Sequence, residues 1–460
     1  MYESDAESLR RKHLAERSDY YSADDFSSLK QSASQDYPIN SFATNQLNSD
    51  PYGFAFGGRQ VELDRFGYPL QASSNAAESM ENYPFNTRSL ESHSNYFMGS
   101  RGQLGASDQT ERSQRPLRVV HVGQYMFVAG IESWLRALIR YSDRSNIEFV
   151  RCVITGEVHD HRVIRSMGIP VEVGRAAAVQ QAARDCDVML FSGPSDLKSL
   201  LGDVKPTASV FVAHGDAMWT QRILAETREL IDHCIAVSKT AQDRICGGMP
   251  STVILNSIDP AHLVASESRT SVRERHGFSE DDFVLGYVGR FSSEKRVELL
   301  VQAVRLLPKN VKLLLVGWGA LTTELMNLAN ELIPGRYAFA TAESSLGSYY
   351  SAMDVHCMVS ESEGFGLSMA ESMFCGIPLL CTSVGFVPDK LIDRVNCAVV
   401  EPSPESIRDT ARLLLEHPQW RNAIAVGGRR VIESFAFPQR MCRQYEQTLR
   451  QVWRDKVRES

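Results

Sequence analysis

Short apolar runs alternate with segments of helical periodicity from residue 116 onward. The first run, LRVVHVG at 117–123, ends in glycine, and Ile131, Trp134 and Leu138 follow it at helical spacing. Runs that are apolar at almost every position predict strands buried on both faces, and therefore parallel sheets. The further runs of this first series are 147–154, 187–191, 208–213, 234–238 and 252–255.

A second series of the same kind follows a polar stretch beyond NSIDP. Its strand-like runs are 283–289, 311–317, 337–340, 354–360, 378–382 and 397–400. The pattern predicts the fold class α/β, with two facing Rossmann-like domains at 116–258 and 259–437. We predict that residues 438–460 form a helix that packs back across the first domain. Ligands of such sheets bind at the carboxyl ends of the strands, so the cleft between the domains is the expected site.

Residues 1–115 differ in composition from the rest of the chain. They hold ten Leu, Ile and Val residues but 19 Ser, and 16 acidic residues against 11 Lys and Arg. This composition is typical of disorder, so we predict an acidic tail that serves as a tether or docks an unknown partner. Because the tail carries −5 of the net charge of −7, the remaining residues are almost neutral and offer no basic surface for nucleic acid.

The nine cysteines lie between Cys152 and Cys442, and they include no C-x-x-C pair. Their odd number and late positions indicate reduced thiols in a core rather than a disulfide framework, and hence a cytoplasmic protein. The first thirty residues lack the apolar segment of a signal peptide, and no run reaches the roughly 18 apolar residues of a membrane span. We therefore expect neither secretion nor membrane insertion.

The segment from Ser360 to Gly376, SESEGFGLSMAESMFCG, follows a predicted strand and is the most informative part of the sequence. Gly364 and Gly366 allow a ligand to approach the backbone closely. A helix that begins near Gly366 or Leu367 presents unpaired N–H groups to an anion, and phosphate is the natural one.

Two glutamates and two cations accompany this predicted phosphate site. Glu363 on the loop and Glu371 in the second helical turn suit the neutral hydroxyls of a sugar or ribose, because carboxylates repel phosphate. Arg290 follows the strand at 283–289, and Lys295 opens the next predicted helix. A lysine at a helix N-terminus opposes the helix dipole unless an anion binds there, so these cations indicate a diphosphate.

These residues together resemble those of the retaining, nucleotide-sugar-dependent glycosyltransferases of the GT-B fold. The family pattern of G-R, E-K and two spaced glutamates is similar to Gly289-Arg290, Glu294-Lys295 and Glu363 with Glu371. NSIDP is similar to the family's N-G-I-D, and SLGSYYSAMDVHCMVS to its Tyr-x-x-A-D-V entry to a strand. The resemblance extends over about 345 residues.

In the first domain, the loop VAGIE at 128–132 resembles the family's G-G-x-E, and His214 occupies its active-site histidine position. The chain departs from the family at Ala129, at Ser257 and across 385–389, where many members have Gly-Gly and a later Glu. These departures affect the choice of sugar and acceptor more than the phosphate site.

The resemblance implies a role for each matched residue. Arg290 and Lys295 would hold the donor diphosphate, Glu363 the hydroxyls of the transferred sugar and Glu371 the ribose, with His214 beside the donor sugar. The catalytic roles fall on His214, Glu363, Arg290 and Lys295. The donor-binding residues also include Gly130, Gly289, Gly364, Phe365, Gly366 and Leu367.

The reaction that the resemblance implies needs neither a metal nor a cofactor. A hexose-type sugar passes from a nucleoside diphosphate to a hydroxyl of a glycan or lipid-linked acceptor, in polysaccharide or surface-glycan assembly. The acceptor attacks on the face that the phosphate leaves, and the departing phosphate takes the acceptor proton. A peripheral membrane contact stays open, although the row Arg136, Arg140 and Arg144 is more typical of a solvated helix face.

Other interpretations rest on weaker patterns. Asp185-Cys186-Asp187 has the D-x-D form of a metal site but precedes its strand, at the wrong end of the sheet, and 159–161 (HDH) is more typical of a surface loop. The turn GQYMFVAG lacks the glycine pattern of a dinucleotide-binding dehydrogenase, as does Gly317-Trp318-Gly319. A sugar-nucleotide epimerase or a phosphorylase of the same two-domain fold, and a non-catalytic protein that keeps the fold, stay as alternatives.

Overall fold

The computed structural model describes residues 115–126, 130–156, 161–193, 196–215, 218–341 and 345–459. Within these ranges the predicted alternation of strands and helices is confirmed, and it forms two parallel sheets. The tail at 1–114 lies outside the described residues, as do 128–129 and 159–160, so the predictions made for those residues stay predictions.

The first sheet has seven parallel strands in the described part of the chain, in the order β3-β2-β1-β4-β5-β6-β7. The strands are β1 Leu117–Gly123, β2 Ile147–Ile154, β3 Val171–Val173, β4 Val188–Ser192, β5 Ala208–Ala213, β6 His233–Ala236 and β7 Ser251–Val253. The sequence analysis missed β3, because this three-residue edge strand is largely exposed and lacks a continuous apolar run.

Helices cover both faces of this sheet. They are α1 Gly130–Tyr141, α2 His161–Ser166, α3 Ala176–Asp185, α4 Leu197–Leu201, α5 Met218–Thr227 and α6 Lys239–Ile245. On α1 the apolar residues Trp134, Leu135 and Leu138 are buried against the sheet, at the helical spacing seen in the sequence.

The second sheet has six parallel strands among the described residues, in the order β10-β9-β8-β11-β12-β13. Its strands are β8 Phe283–Val288, β9 Val311–Val316, β10 Tyr337–Ala340, β11 Val355–Met358, β12 Leu379–Cys381 and β13 Ala398–Val399. Several strands are shorter than their apolar runs, since residues such as Val359 and Val400 are buried in loops beyond the ladder.

The helices of the second series follow the same pattern. They are α7 Arg269–Arg275, α8 Glu298–Arg305, α9 Thr322–Leu332, α10 Leu346–Ala352, α11 Leu367–Phe374, α12 Val387–Lys390, α13 Pro404–Glu416, α14 Pro418–Phe435 and α15 Pro438–Glu459. In both sheets the order in which successive strands are added reverses beside the first strand, between β1 and β4 and between β8 and β11. These reversals are the points where doubly wound sheets bind ligands at the carboxyl ends of their strands.

The last helix, α15, packs on the first domain. The Trp134 indole N–H donates to the Tyr445 hydroxyl at 3.0 Å, and a Glu446 carboxylate oxygen accepts the amide N–H of Asp143 at 2.8 Å. Met441 and Leu449 of α15 lie in the same hydrophobic cluster as core residues of both sheets. The end of the chain therefore contributes to the core beside α1.

All nine cysteines are free thiols, and eight of them are buried. In the part of the chain that the structure describes, no helix has both the length and the apolar character that a membrane crossing requires.

Candidate functional site

The carboxyl end of β8 places the two predicted cations differently from the sequence-based prediction. Lys295 ends a short 3-10 turn, Ser293–Lys295, and Arg296 follows in the left-handed region at φ 50°. Helix α8 therefore begins only at Glu298. The prediction that Lys295 opens this helix is wrong, because the left-handed residue separates the turn from the helix, and the helix-dipole argument does not apply to Lys295.

Lys295 and Glu363 instead form an ion pair across the second domain. The Lys295 ammonium lies 2.8 Å from Oε1 of Glu363, and the two side chains are only 15% and 11% exposed. The Ser360 hydroxyl donates to the same carboxylate oxygen at 2.7 Å. The structure thus joins two residues to which the sequence assigned separate partners, and each can balance the other's charge before a ligand arrives.

Arg290 is the exposed cation of this edge. Its side chain is 68% exposed, and one guanidinium nitrogen lies 3.4 Å from a carboxylate oxygen of Glu294. The Tyr287 hydroxyl donates to the Arg290 carbonyl at 2.8 Å, which fixes the backbone while the guanidinium stays accessible. A surface pair of this kind is weak, so a phosphate could displace it.

Close backbone packing holds Gly289 and Arg290 in place. A Cβ at Gly317 would overlap the carbonyl oxygen of Gly289, and a Cβ at Gly319 would overlap the backbone of Phe291. The glycines of Gly317-Trp318-Gly319 therefore let the loop after β9 contact the loop after β8.

The loop after β11 has the conformation that its glycines indicate. Gly366 adopts φ 97°, a left-handed value that favours glycine, and α11 begins at the next residue, Leu367, as predicted. Phe365 is buried and stacks on Phe386 with ring centroids 4.8 Å apart, so its side chain anchors the loop. The Phe365 ring is therefore not available to a ligand.

Glu371 lies in the second turn of α11, where a single tyrosine orients it. The Tyr350 hydroxyl donates to Oε2 of Glu371 at 2.9 Å. Burial raises the pKa of Glu371 to about 7, so the carboxyl changes charge near neutral pH. Tyr350 is a residue that sequence reasoning missed: it lies in the segment that resembles the family's strand entry, but no role was assigned to it.

The loop of the second domain touches the first domain at two points. A Cβ at Gly364 would overlap the carbonyl oxygen of His214, which directly follows β5. At the N-terminus of α1, a Cβ at Gly130 would lie 3.0 Å from Cδ1 of Leu367. The structure therefore brings four of the predicted residues together where the strands of both sheets end.

The His214 ring packs against the indole ring of Trp134. Its centroid is 4.4 Å from that of Trp134, with the rings at 71° to each other. Burial, followed by the proximity of His121, lowers the pKa of His214 to about 3, so the ring is neutral. Its Nε2 is buried and has no hydrogen-bond partner among the described residues. A neutral ring with an unused nitrogen suits an uncharged hydroxyl better than a phosphate.

Two further residues near this region were not predicted. His121 in β1 is buried, and its Nε2 lies 2.7 Å from the Ser192 hydroxyl at the end of β4. At the turn 385–389, where the chain departs from the family, a carboxylate oxygen of Asp389 accepts the amide N–H of Lys239 at 2.7 Å. That bond links the second domain to the start of α6 in the first. Within the first domain, the side chain of Ser238 caps the same helix.

The aspartates of the D-x-D pattern, which was set aside as a metal site, pair with arginines. Asp187 forms an ion pair with Arg115 at 2.6 Å, and Asp185 pairs with Arg151 at 3.1 Å. No group of three or more His, Cys, Asp and Glu residues suited to a metal occurs in the described ranges.

Comparison with known proteins agrees with this architecture. The fold matches the crystal structure of Anabaena Alr3699/HepE in complex with UDP and glucose, with a TM-score of 0.64 at 18% identity, over 73% of this chain and 100% of that one. Two domains that each contain a parallel sheet, with the strand ends of the two sheets brought together, are characteristic of the GT-B fold.

Residues 268–431 match the family described as glycosyl transferases group 1. The chain is 29% identical to a D-inositol 3-phosphate glycosyltransferase of Xylanimonas cellulosilytica over 252 residues, 53% of this chain and 59% of the relative. It is 27% identical to the capsular polysaccharide biosynthesis glycosyltransferase CapM of Staphylococcus aureus over 172 residues, 35% of this chain and 43% of CapM. The chain thus spans less than two thirds of either relative.

Proposed function

We propose that the protein is a retaining glycosyltransferase that moves a hexose-type sugar from a nucleoside diphosphate sugar to an acceptor hydroxyl. The observation that carries this proposal is the meeting of Lys295, Glu363 and the Gly364 loop with the neutral His214 where the two domains touch. The family match of residues 268–431 and the likeness in fold to HepE, whose crystal structure holds UDP and glucose, support the same ligand class.

The cations suit the diphosphate. Lys295 is held at the edge of the sheet by Glu363, and Arg290 is accessible beside it. As the bond between the anomeric carbon and the β-phosphate oxygen breaks, negative charge grows on the leaving group, and both cations stabilise it. The amide groups from Gly364 to Leu367, at the start of α11, assist because a helix N-terminus favours an anion.

The carboxylates suit hydroxyl groups. Glu371, oriented by Tyr350, accepts hydrogen bonds from the ribose. Glu363 shifts part of its bonding from Lys295 to the hydroxyls of the transferred sugar, and this exchange frees the ammonium for the diphosphate. His214, uncharged and with an unused Nε2, binds a donor-sugar hydroxyl next to the reacting carbon.

The chemical step forms one bond and breaks one bond on the same face of the sugar. The acceptor oxygen bonds to the anomeric carbon, the phosphate leaves with the electron pair of the broken C–O bond, and the departing phosphate takes the acceptor proton. None of these steps requires a protein nucleophile, a metal or a cofactor.

The acceptor is proposed by chemical class. The names of the relatives describe transfer to an inositol phosphate and in capsular polysaccharide biosynthesis. We propose a glycan or lipid-linked hydroxyl in surface-glycan assembly for this chain.

The test is a panel of UDP-, GDP- and ADP-sugars, measured for binding and slow hydrolysis with the wild type, Arg290→Ala and Glu371→Ala. We expect one nucleotide to bind best and both variants to bind it more weakly. A Lys312→Ala variant is the control, because Lys312 pairs with Asp282 away from this edge. If no donor binds, or the site variants bind like the control, the proposal is wrong. Inversion of the anomeric configuration in an NMR assay of the product would contradict retention.

A further inference from the structure

An aromatic chain connects the last helix of the protein to His214. The hydroxyl of Tyr445, in α15, accepts the indole N–H of Trp134, in α1, at 3.0 Å. The ring of Trp134 in turn lies 4.4 Å from the ring of His214. Tyr445 is 0% exposed and Trp134 1% exposed, so solvent does not compete for the hydrogen bond between them.

The hydrogen bond to Tyr445 restricts the orientation of the Trp134 ring. The indole N–H is a single, directional donor, and leaving it unpaired in the core is unfavourable. The Trp134 ring also makes an edge contact with His121 at 5.9 Å and a tilted one with Tyr445 at 5.8 Å. The donor bond and these packing contacts together hold the indole in one place.

His214 has fewer restraints on its ring than on its backbone. Close approach of Gly364 to the His214 carbonyl limits movement of the main chain. The imidazole Nε2 makes no hydrogen bond within the described ranges, and the edge contact with Trp134 restrains the direction of the ring.

We propose that Tyr445 is a positioning residue for the transfer reaction: through Trp134 it sets the orientation of His214 toward the donor sugar. This inference rests on the proposed function, because it assumes that His214 binds the donor sugar. It assigns part of the active site of the first domain to a helix that follows the second domain in the sequence.

The test compares Tyr445→Phe with Glu446→Gln, the adjacent residue of α15, which contacts Asp143 and Asn146. Both substitutions disturb packing of α15, but only the first removes the acceptor of the indole N–H. We expect Tyr445→Phe to lower kcat about tenfold with the donor KM nearly unchanged, because a misplaced group costs rate rather than affinity. Glu446→Gln should keep kcat within about twofold even where it lowers Tm.

A double substitution separates positioning from general destabilisation. If Tyr445 acts through His214, adding Tyr445→Phe to His214→Asn should lower kcat no further. In 15N NMR spectra of the unliganded protein, Tyr445→Phe should shift the His214 ring signals and Glu446→Gln should not. Should Tyr445→Phe not fold, Trp134→Phe replaces it, and the same cycle with His214→Asn is measured.

The outcomes distinguish the two proposals. If His214→Asn does not change turnover, the role of His214 in the proposed function fails. If His214→Asn is impaired but Tyr445→Phe matches Glu446→Gln, or if the effects of Tyr445→Phe and His214→Asn multiply, the positioning role of Tyr445 is overturned.

Discussion

The two domains present different chemistry where they touch. At the strand ends of the second domain lie the ion pair of Lys295 with Glu363 and the carboxyl of Glu371, whose pKa of about 7 lets it change charge near neutral pH. At the strand ends of the first domain lies the neutral ring of His214 against the indole of Trp134. Under the proposed function this difference corresponds to a division of roles, in which the second domain would hold the charged part of the donor and the first would act on its neutral part.

The surroundings of each group explain this difference. An ion pair and hydrogen-bonding hydroxyls stabilise charge at the edge of the second sheet, as Ser360 does for Glu363. Burial beside the Trp134 ring instead lowers the pKa of His214, because desolvation disfavours the charged imidazolium. The largest effects of substitution should therefore separate into losses of donor binding and losses of turnover.

The largest effect is expected for Lys295→Ala. It should lower kcat/KM by about 10²- to 10³-fold, because it removes a cation from the leaving group and leaves the Glu363 carboxylate unpaired. Steady-state kinetics with the best donor measure this. Lys312→Ala is a matched control, because its side chain is 17% exposed and lies 3.9 Å from Asp282. Equal activity of the two variants would remove the second domain's proposed role.

For the first domain, His214→Asn should lower kcat by about a hundredfold while the Kd of the nucleotide changes less than about twofold. The proposed diphosphate contacts all lie in the second domain, so nucleotide binding should not depend on the imidazole. Calorimetric titration with the nucleoside diphosphate and single-turnover kinetics measure the two quantities. The control is His233→Asn, since His233 contacts Thr252 in the same sheet. A large loss of nucleotide affinity in His214→Asn would break the comparison.

The contact between the two domains can be tested at Gly364. A Cβ there overlaps the His214 carbonyl, so Gly364→Ala should destabilise the protein by about 1–3 kcal/mol and separate the loop from the first domain. Thermal unfolding measures the loss. Gly215→Ala is the control, since a Cβ there meets open space. An unchanged Tm in Gly364→Ala would show that the stability of the protein does not depend on this contact between the domains.

The smallest expected effect is the pH dependence of Glu371. Its folded pKa of about 7 lies above the ordinary value of 4.5, so the free site holds a proton that ribose hydroxyls, which favour the carboxylate, should displace. Nucleotide affinity should therefore rise roughly tenfold from pH 6 to pH 8, and binding near pH 7 should release protons. Titration calorimetry in buffers of different ionisation enthalpy measures this release.

Glu371→Gln is the matched variant and should abolish both effects. Since the raised pKa disfavours the charged form in the folded state, the stability of the unliganded wild type should also fall, relative to Glu371→Gln, as pH rises from 4.5 to about 7. Identical pH profiles for the two proteins would assign the titration to another group.

Much of the fold and of the candidate site follows from local sequence. Apolar runs predicted most of the strands, because burial on both faces of a parallel sheet demands apolar residues at consecutive positions. Gly366 predicted the start of α11, since its left-handed φ favours glycine. These features depend on neighbours in sequence, and the pattern of residues is sufficient to indicate them.

Tertiary structure alone decided which distant side chains meet. Lys295 pairs with Glu363, 68 residues later, and Tyr445 reaches Trp134 across 311 residues. Because Arg296 is left-handed, α8 begins after it, and Lys295 does not lie at the helix terminus where the sequence predicted it. Such contacts depend on how the sheets and α15 pack in space, and the spacing of residues along the chain carries no information about that packing. The sequence therefore determined the kinds of chemistry available, and packing determined which groups act together.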